Sequence, residues 1–236
     1  MPRKAMKDIA EFKKAFDQIK AQGPVKSGRG GATGVGHTLE TLLGLEEDNK
    51  DRADLGFAEL KAHRKGSNAL ITLFTFDRNA WLMNKKDAIE NYGTADSDGR
   101  MGLYFTLRHE GEITQTGLKL VGDKKQDTVS VLDEEGKILA QWTMEKIAKK
   151  FMEKIPALVV VTAESEHKPG GEHFKYTEAM FYTNPVAEKI CQQILAGNVS
   201  VDLRMHDAIT KVRNHGTAFR VYEQAVGELF ENKQKV

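Results

Sequence analysis

The sequence has only one cysteine, Cys191, so the chain can form no intramolecular disulfide and no zinc site built from several cysteines. It also has no apolar run near the roughly 20 residues needed to cross a bilayer; the longest is PALVVVTA at 156–163. The N-terminal segment MPRKAMKDIAEFKKAF carries charge but lacks the apolar core of a signal peptide. We therefore expect a cytoplasmic protein in which Cys191 is a buried structural thiol at helical spacing.

The glycine-rich segment GATGVGHTLE at 31–40 resembles a phosphate-binding loop that lacks its lysine. Gly31 and Gly36 have the G-x-x-x-x-G spacing and Thr38 stands at the Ser/Thr position, but His37 replaces the lysine that reaches the β/γ-phosphates. The preceding residues predict a helix followed by coil, whereas such a loop must follow a strand. No G-x-G-x-x-G frame fits either. The segment is therefore not expected to bind ATP or NAD.

Charge is close to balanced overall but unevenly distributed. The formal net charge is +1, yet residues 1–31 carry eight Lys/Arg against three acids and residues 61–86 carry six against one. Between them, EEDNKDRAD at 46–54 is rich in acids. Because cations hold phosphates and carboxylates hold metals, basic segments flanking an acidic one suit a site that cuts phosphodiesters. Solvated charged faces give similar counts, so both interpretations stay open.

Hydrophobic periodicity predicts one compact unit with a mixed α/β fold and without regular βαβ alternation. The predicted helices are 4–21, a short helix starting in GHTLETLLGL with Glu40 in its first turn, 143–154, 184–196 with Pro185 at its first position, and 223–232. The predicted strands are 53–64 and 69–76 joined as a hairpin by KGSN, an antiparallel meander over 101–142, then 157–165, 173–183, 199–206 and 216–222.

Two carboxylates and a lysine lie close together in DLGFAELK. On a strand, Glu59 and Lys61 point to the same face because side chains alternate. Asp54 has the opposite parity, so it joins them only if the backbone loses register, and Gly56 is the residue that permits a bulge or turn there. The sequence therefore predicts an irregular strand start at residues 55–57.

These residue types suit metal-assisted hydrolysis of a phosphodiester. Asp54 and Glu59 supply hard oxygen ligands for Mg²⁺, while Lys61 would hold the attacking water or help to deprotonate it. Glu40 could complete the metal shell directly or through a water. By itself, a Glu-x-Lys triplet in a strand is more often a pair of solvent-facing charges, and that alternative stays open on the triplet alone.

Several separated segments resemble one known family. TGVGHTLETLLGLEEDN, DLGFAELKAHR, ALITLFT and NHGTAFRV occur in the order and spacing seen in the MvaI/BcnI group of type II restriction endonucleases, relatives of the mismatch-repair nickase MutH. VVVTAES, KYTEAMFYT and VSVDLRM are similar to counterparts in that group. The resemblance covers roughly residues 28–75 and 157–222. It implies a catalytic lobe over about 1–150 and a recognition lobe over about 165–236.

The resemblance implies a restriction-endonuclease-like α/β fold of the PD-(D/E)XK kind, with a mixed sheet flanked by helices and two lobes around a DNA cleft. The active-site signature falls on Asp54, Glu59 and Lys61, and Glu40 matches the glutamate of the family's helix. The resemblance also implies Mg²⁺ as the cofactor, double-stranded DNA as the partner, and a monomer. Members of the group cut short GC-rich sites of the CC-N-GG type, one strand at a time.

The expected DNA-reading residues lie in KVRNHGTAFRV. The resemblance assigns Arg213 and His215 to the major groove and Arg220 to a further DNA contact. Arg204 resembles an arginine of the family and is either a phosphate contact or an ordinary exposed strand arginine. Arginine suits guanine because it can donate to N7 and O6 together. The group has His-Asp-His where this chain has Arg213-Asn214-His215, which leaves the exact target sequence open.

Alternative interpretations accompany this hypothesis. The same fold would suit a MutH-like strand-nicking repair enzyme that needs a partner for activation, and a third hypothesis is a DNA-binding protein without catalysis. His206 and His215 are either a metal pair or, more often in such patterns, ordinary polar histidines. The region 165–176 either lines the DNA cleft or is a plain surface hairpin.

Overall fold

The computed structural model describes residues 5–45, 53–66, 70–77, 79–208 and 211–236. In chain order these residues form α1 (Ile9–Ala21), β1 (Val25–Lys26), α2 (Gly34–Leu42), β2 (Glu59–Arg64), β3 (Ile71–Thr75), α3 (Lys85–Tyr92), β4 (Thr94–Ala95), β5 (Met101–Leu107), β6 (Lys119–Asp123), β7 (Thr128–Leu132), β8 (Ile138–Thr143), α4 (Met144–Lys154), β9 (Ala157–Lys168), β10 (Gly171–Pro185), α5 (Ala187–Leu195), β11 (Val199–Asp207), β12 (Val212–Asn214), β13 (Ala218–Val221), a 3₁₀ helix (Glu223–Leu229) and β14 (Phe230–Lys235). None of the described helices is long and apolar enough to span a bilayer.

The chain divides into two compact units, each assembled from segments far apart in sequence. The first unit contains 1–71, 153–185 and 230–236, and the second contains 72–152 and 186–229. The predicted lobes were two consecutive segments, at about 1–150 and 165–236, whereas each of these units combines segments that are distant in sequence. The reason is strand pairing, because β9 and β10 join the sheet that contains β1 and β2.

The first unit is a mixed sheet with helices packed on it. Its strand order is β1-β10-β9-β2, with β14 also pairing with β10. β2 runs parallel to β9, whereas β10 is antiparallel to β9, β1 and β14. α1 buries Phe12, Phe16 and Ile19 in the core of this unit. The helix starts at Ile9, later than the predicted residue 4, because the Asp8 side chain caps it by accepting from the amides of residues 10 and 11.

The second unit contains two sheets. One has the strand order β3-β13-β11-β5-β4, with β12 pairing with β11, and the other is the antiparallel sheet β6-β7-β8. The predicted meander over 101–142 is therefore correct for β6 to β8, whereas β5 pairs with β11. The predicted hairpin of the strands at 53–64 and 69–76 is wrong, because β2 and β3 belong to different sheets. Ser67 and Asn68 of the predicted turn lie outside the described residues.

Two predicted helices near the end of the chain also differ from the structure. The helix expected at 184–196 begins at Ala187, since Pro185 is the last residue of β10 and lies opposite Phe230. The helix expected at 223–232 is a 3₁₀ helix that ends at Leu229. The next six residues extend as β14, because β10 offers them a free edge to pair with.

A sharp bend precedes β2. The amide of Leu55 donates to the carbonyl of Ala58 at 2.9 Å, and the carbonyl of Leu55 accepts from the amide of Met6 at 3.0 Å. Gly56, which lies between Leu55 and Ala58, has φ of 91°, in the left-handed region that favours glycine. Regular strand structure starts only at Glu59. The strand start is therefore irregular at 55–57, as the parity of the acidic residues predicts.

We predict that Gly56→Ala destabilises the protein by about 1–3 kcal/mol, because a side chain is strained at this φ. A Cβ at this position would also lie 3.2 Å from the Cβ of Ala5. Denaturant unfolding measures the change. Gly30→Ala is the matched control, because a Cβ at Gly30 meets nothing within 4 Å and its φ is not positive. Equal stability of the two variants would contradict the assigned role of the bend.

Candidate active site

The structure brings together Asp54, Glu59 and Lys61, the three residues predicted to form the signature. The Nζ of Lys61 lies 2.6 Å from Oε1 of Glu59 and 3.7 Å from Oδ2 of Asp54. The same Asp54 oxygen accepts a hydrogen bond from the amide of Leu60 at 3.2 Å. The three side chains retain exposed fractions of 25%, 16% and 26% in sequence order. The ammonium thus bridges two carboxylates at a partly exposed position.

The electrostatics of the trio reflect this crowding. Burial raises the pKa of Glu59, and the charge of Asp54 raises it further, while Lys61 opposes both. Burial alone would lower the pKa of Lys61, but the negative charges of Glu59 and Asp54 outweigh burial and raise it. Two carboxylates that repel each other favour any cation placed between them. In this arrangement that cation is the ammonium of Lys61.

Glu40 faces the same site from α2. The helix packs against β2, and the charge of Glu40 contributes to raising the pKa of Lys61. The prediction placed Glu40 in the first turn of its helix, which is wrong. Because the helix already begins at Gly34, Glu40 lies in the second turn.

The glycine-rich loop before α2 is held by hydrogen bonds from Arg64 to two of its carbonyl oxygens. Arg64, at the end of β2, donates to the carbonyl oxygens of Gly31 at 2.9 Å and Ala32 at 3.2 Å. The same guanidinium forms a two-point ion pair with Glu172, at 2.7 and 2.8 Å. A phosphate-binding loop uses its amide groups toward the ligand, whereas this loop turns carbonyl oxygens toward an arginine. Its glycines serve the geometry that leads into the Glu40 helix.

The region 165–176 contributes residues that hold the Arg64 ion pair and the start of α2. Ser165 donates to Glu172 at 2.6 Å, and Tyr176, which is buried, donates to the carbonyl of Val35 at 2.8 Å. Sequence reasoning missed Arg64 and Glu172 because they are 108 residues apart. The only sequence hint was the Arg that ends DLGFAELKAHR.

The donor set fits a magnesium ion that keeps most of its water. Among the described residues, no group of three His, Cys, Asp or Glu side chains is arranged to hold a metal. Mg²⁺, however, is usually bound by one or two carboxylates together with waters and substrate phosphates. Asp54 and Glu59 provide such a pair of carboxylates at one position. The acid-rich stretch 46–54 adds no further ligand that can be described, since residues 46–52 lie outside the described residues.

Arg213 and His215, both exposed, lie beside a histidine of the neighbouring strand. Arg213 is the cross-strand partner of His206, and the rings of His206 and His215 have centroids 6.0 Å apart. The hydroxyl of Tyr104 lies 2.9 Å from Nδ1 of His206. The described residues offer no third ligand for a metal at this pair. Arg213 and His215 therefore contribute to a polar surface on the second unit, whereas His206 is buried.

Arg204 and Arg220 converge on one buried carboxylate. Asp202, whose side chain is 5% exposed, pairs with Nε of Arg204 and, at 3.1 Å, with Arg220. Thr106 donates to its other oxygen at 2.6 Å. Arg204 remains half exposed, whereas Arg220 is 17% exposed. Asp202 was missed from the sequence, although an acid within the apolar run VSVDLRM is a sign of a buried charge pair.

Asp202, Arg204 and Thr106 border a depression of about 620 Å³ on the second unit, which is also lined by Thr72, Thr75, Tyr104 and His215 among others. A slightly larger cavity of about 700 Å³ lies between α4 and α5 and contains none of the predicted site residues. It is lined in part by Cys191, whose thiol donates to the carbonyl of Met144 at 3.4 Å. Burial raises the pKa of Cys191 to about 11, which suits a structural thiol.

The family model described as the MvaI/BcnI restriction endonuclease family matches residues 13–230. Among solved structures, the chain is similar to one titled "Restriction endonuclease MvaI-cognate DNA substrate complex", with 26% identity and a TM-score of 0.82 over 98% of this chain and 99% of that one. It is also similar to "Restriction endonuclease MvaI in the absence of DNA", with 25% identity and a TM-score of 0.55 over 99% of each chain. No curated protein matches by sequence.

Arg64 holds the pKa of Glu172 at about 2, well below the ordinary 4.5. A carboxylate whose pKa is lowered by folding stabilises the folded chain above the unfolded pKa, and this contribution is lost as the pH falls toward the folded pKa. We therefore predict that Glu172→Gln lowers stability by about 1–3 kcal/mol at neutral pH. The difference from wild type should shrink between pH 4.5 and 2.

Thermal unfolding across this pH range measures the effect. Glu164→Gln is the matched control, because it removes a 46% exposed carboxylate of the neighbouring strand that pairs with exposed Lys65. A surface pair of this kind contributes little. A difference between Glu172→Gln and wild type that stays constant from neutral pH to pH 2 would contradict the assignment.

Proposed function

Because the chain belongs to the MvaI/BcnI restriction endonuclease family, we propose that it hydrolyses double-stranded DNA with Mg²⁺ as its cofactor, at a short site of the CC-N-GG type. It is a type II restriction endonuclease, and therefore a site-specific nuclease. The observation that carries the finer proposal is the convergence of Asp54, Glu59 and Lys61 at the bent start of β2. We further propose that the enzyme acts as a monomer in the cytoplasm.

Within this proposal each active-site residue has a distinct task. Asp54 and Glu59 would hold Mg²⁺ through their carboxylate oxygens. When bound, the ion neutralises the scissile phosphate and stabilises the charge that develops during displacement. Lys61 would orient the attacking water by donating a hydrogen bond to it. Glu40, whose charge acts on Lys61, would hold further water at the same position.

Arg204, Arg213, His215 and Arg220, the residues that we propose contact DNA, belong to the second unit. We propose that Arg213 donates to guanine and that His215 donates to a neighbouring base in the major groove. Arg204 and Arg220 would contact the DNA backbone, with Asp202 holding both guanidinium groups in place. The similarity to a relative solved with its cognate DNA supports double-stranded DNA as the partner.

The direct test incubates the purified protein with plasmid and with unmethylated phage DNA in the presence of Mg²⁺. We expect discrete linear fragments, whose sequenced ends give the target site and the cut position together. Weak nicking that depends on added repair proteins would instead favour the MutH-like alternative. No cleavage in any divalent metal would contradict the proposal.

We predict that Lys61→Ala slows single-turnover cleavage by about a hundred- to a thousandfold, the cost of losing one preorganised donor at a reacting centre. DNA binding measured by gel shift without Mg²⁺ should change little, because Lys61 would act on the reacting groups and not on the duplex as a whole. Lys65→Ala is the matched control, because Lys65 lies just beyond β2 and its side chain is 64% exposed. Wild-type cleavage by Lys61→Ala would refute the role of the trio.

We predict that Arg213→Ala weakens cleavage at the preferred site by about tenfold or more, since one good contact to guanine contributes about 1–3 kcal/mol of discrimination. Preference should relax at a single base position. Arg100→Ala serves as the control, because Arg100 is 52% exposed and pairs with Asp96 and Asp98. An unchanged cleavage pattern with Arg213→Ala would exclude this arginine from base recognition.

A further inference from the structure

One carboxylate in the second unit accepts hydrogen bonds from four side chains. Asp77, just beyond β3, accepts from Nε1 of Trp81 at 2.7 Å and from the hydroxyl of Thr217 at 2.8 Å on one oxygen. On the other oxygen it accepts from the amide of Asn214 at 2.7 Å and forms an ion pair with Lys85. A carboxylate has about four acceptor positions, so these four donors use its full capacity. Asp77 is only 23% exposed.

Two of the four donors belong to the segment that carries the proposed DNA-reading residues. Asn214 also accepts from the amide of Gly216 at 2.8 Å, which closes the turn after β12. Thr217 is fully buried, and its carbonyl accepts from the amide of Phe76 at 2.9 Å. Asp77 therefore ties both ends of the segment 214–217 to the chain that follows β3.

The attachment of Asn214 also determines where its neighbours point. Side chains alternate along a strand, so Arg213 projects from the face opposite to Asn214. The ring of His215 lies 6.0 Å from that of His206, the cross-strand partner of Arg213, and so shares the face of Arg213. Arg213 lies across from His206, and the amide of His215 donates to the carbonyl of Arg204 at 2.9 Å. The hydrogen bond from Asn214 to Asp77 on one face therefore restricts the positions of Arg213 and His215 on the opposite face.

We propose that Asp77 is a positioning residue for sequence recognition, acting through Asn214 on Arg213 and His215. The inference rests on the proposed function, because it requires these two side chains to read bases. Asp77 itself touches no DNA in this scheme. Its effect is to lower the number of arrangements that Arg213 and His215 can adopt, so that a wrong base finds no alternative contact.

The chemistry of the Asp77 and Asn214 pair allows a sharp test by exchange. In Asp77→Asn the oxygen that accepts from Trp81 and Thr217 can be kept, but the introduced NH2 group then faces two other donors, the amide of Asn214 and the ammonium of Lys85. In Asn214→Asp two carboxylates face each other. The double variant Asp77→Asn/Asn214→Asp keeps the net charge and restores one donor and one acceptor between residues 77 and 214, with the bond reversed. The introduced carboxylate can still accept from the amide of Gly216 and leaves a negative charge near Lys85.

The readout is fragment-end sequencing after digestion of unmethylated phage DNA of known sequence. For each variant, cuts at the preferred site are compared with cuts at sites that differ from it by one base. We expect each single variant to raise the share of wrong-site cuts by about tenfold, the effect of losing a hydrogen bond to a charged group. The double variant should return to within about threefold of wild type.

Asp87→Asn is the matched control, since Asp87 is an exposed residue of α3 and its loss removes the same charge. If Asp77→Asn does not fold, Asn214→Asp and the double variant still decide the question, because Asn214→Asp leaves Asp77 and its other donors intact. A lowered melting temperature with unchanged site preference in the single variants, or no recovery in the double variant, would overturn the inference.

Arg213→Ala and His215→Ala separate the inference from the function on which it rests. If they alter site preference while Asp77→Asn and Asn214→Asp do not, the proposed reading role survives and the positioning role of Asp77 fails. If Arg213→Ala and His215→Ala leave the preference unchanged, the reading role fails and the inference falls with it.

Discussion

Asp54, Glu59 and Lys61 can meet only because the chain bends at Gly56 before it becomes a regular strand. In an uninterrupted strand the carboxylate of Asp54 would project to the face opposite to Glu59 and Lys61. The left-handed backbone of Gly56 removes that restriction. After the bend, the carboxylate of Asp54 accepts a hydrogen bond from the amide of Leu60 and lies 3.7 Å from the ammonium of Lys61. The arrangement of the three side chains therefore depends on the backbone conformation of Gly56, a residue without a side chain.

The rest of the first unit holds this bend and the helix that faces it. Arg64 lies on the same strand as Lys61 and is bound at once to Glu172 and to the glycine-rich loop before α2. A movement of that loop would therefore also move the helix that carries Glu40. Because the guanidinium is held at two points on a carboxylate, the contact fixes direction as well as distance. Arg64 in this way links the strand that carries Lys61 to the loop that leads into the Glu40 helix.

Local features of this site could be predicted from the sequence, whereas features that depend on distant partners could not. The parity of Asp54 against Glu59, and the role of Gly56 between them, follow from the geometry of any strand. The pairing of β2 with β9 does not, because the partner lies about a hundred residues away and the adjacent β3 was the simpler choice. The helix predicted at Pro185 failed for the same reason, since β14 pairs with β10 up to that residue. The family resemblance supplied the residues proposed to read DNA, but Asp77 and Asp202 emerged only from the contacts.

The most direct measurement of the central claim is the position of a bound metal. Crystals of the protein soaked with Mn²⁺, which shares the oxygen preference of Mg²⁺, would give anomalous density at the ion. The account predicts a peak at about 2.0–2.3 Å from carboxylate oxygens of both Asp54 and Glu59. Lys61 should then have moved off at least one of these carboxylates. Peaks confined to other parts of the surface, with Lys61 still bridging Asp54 and Glu59, would contradict it.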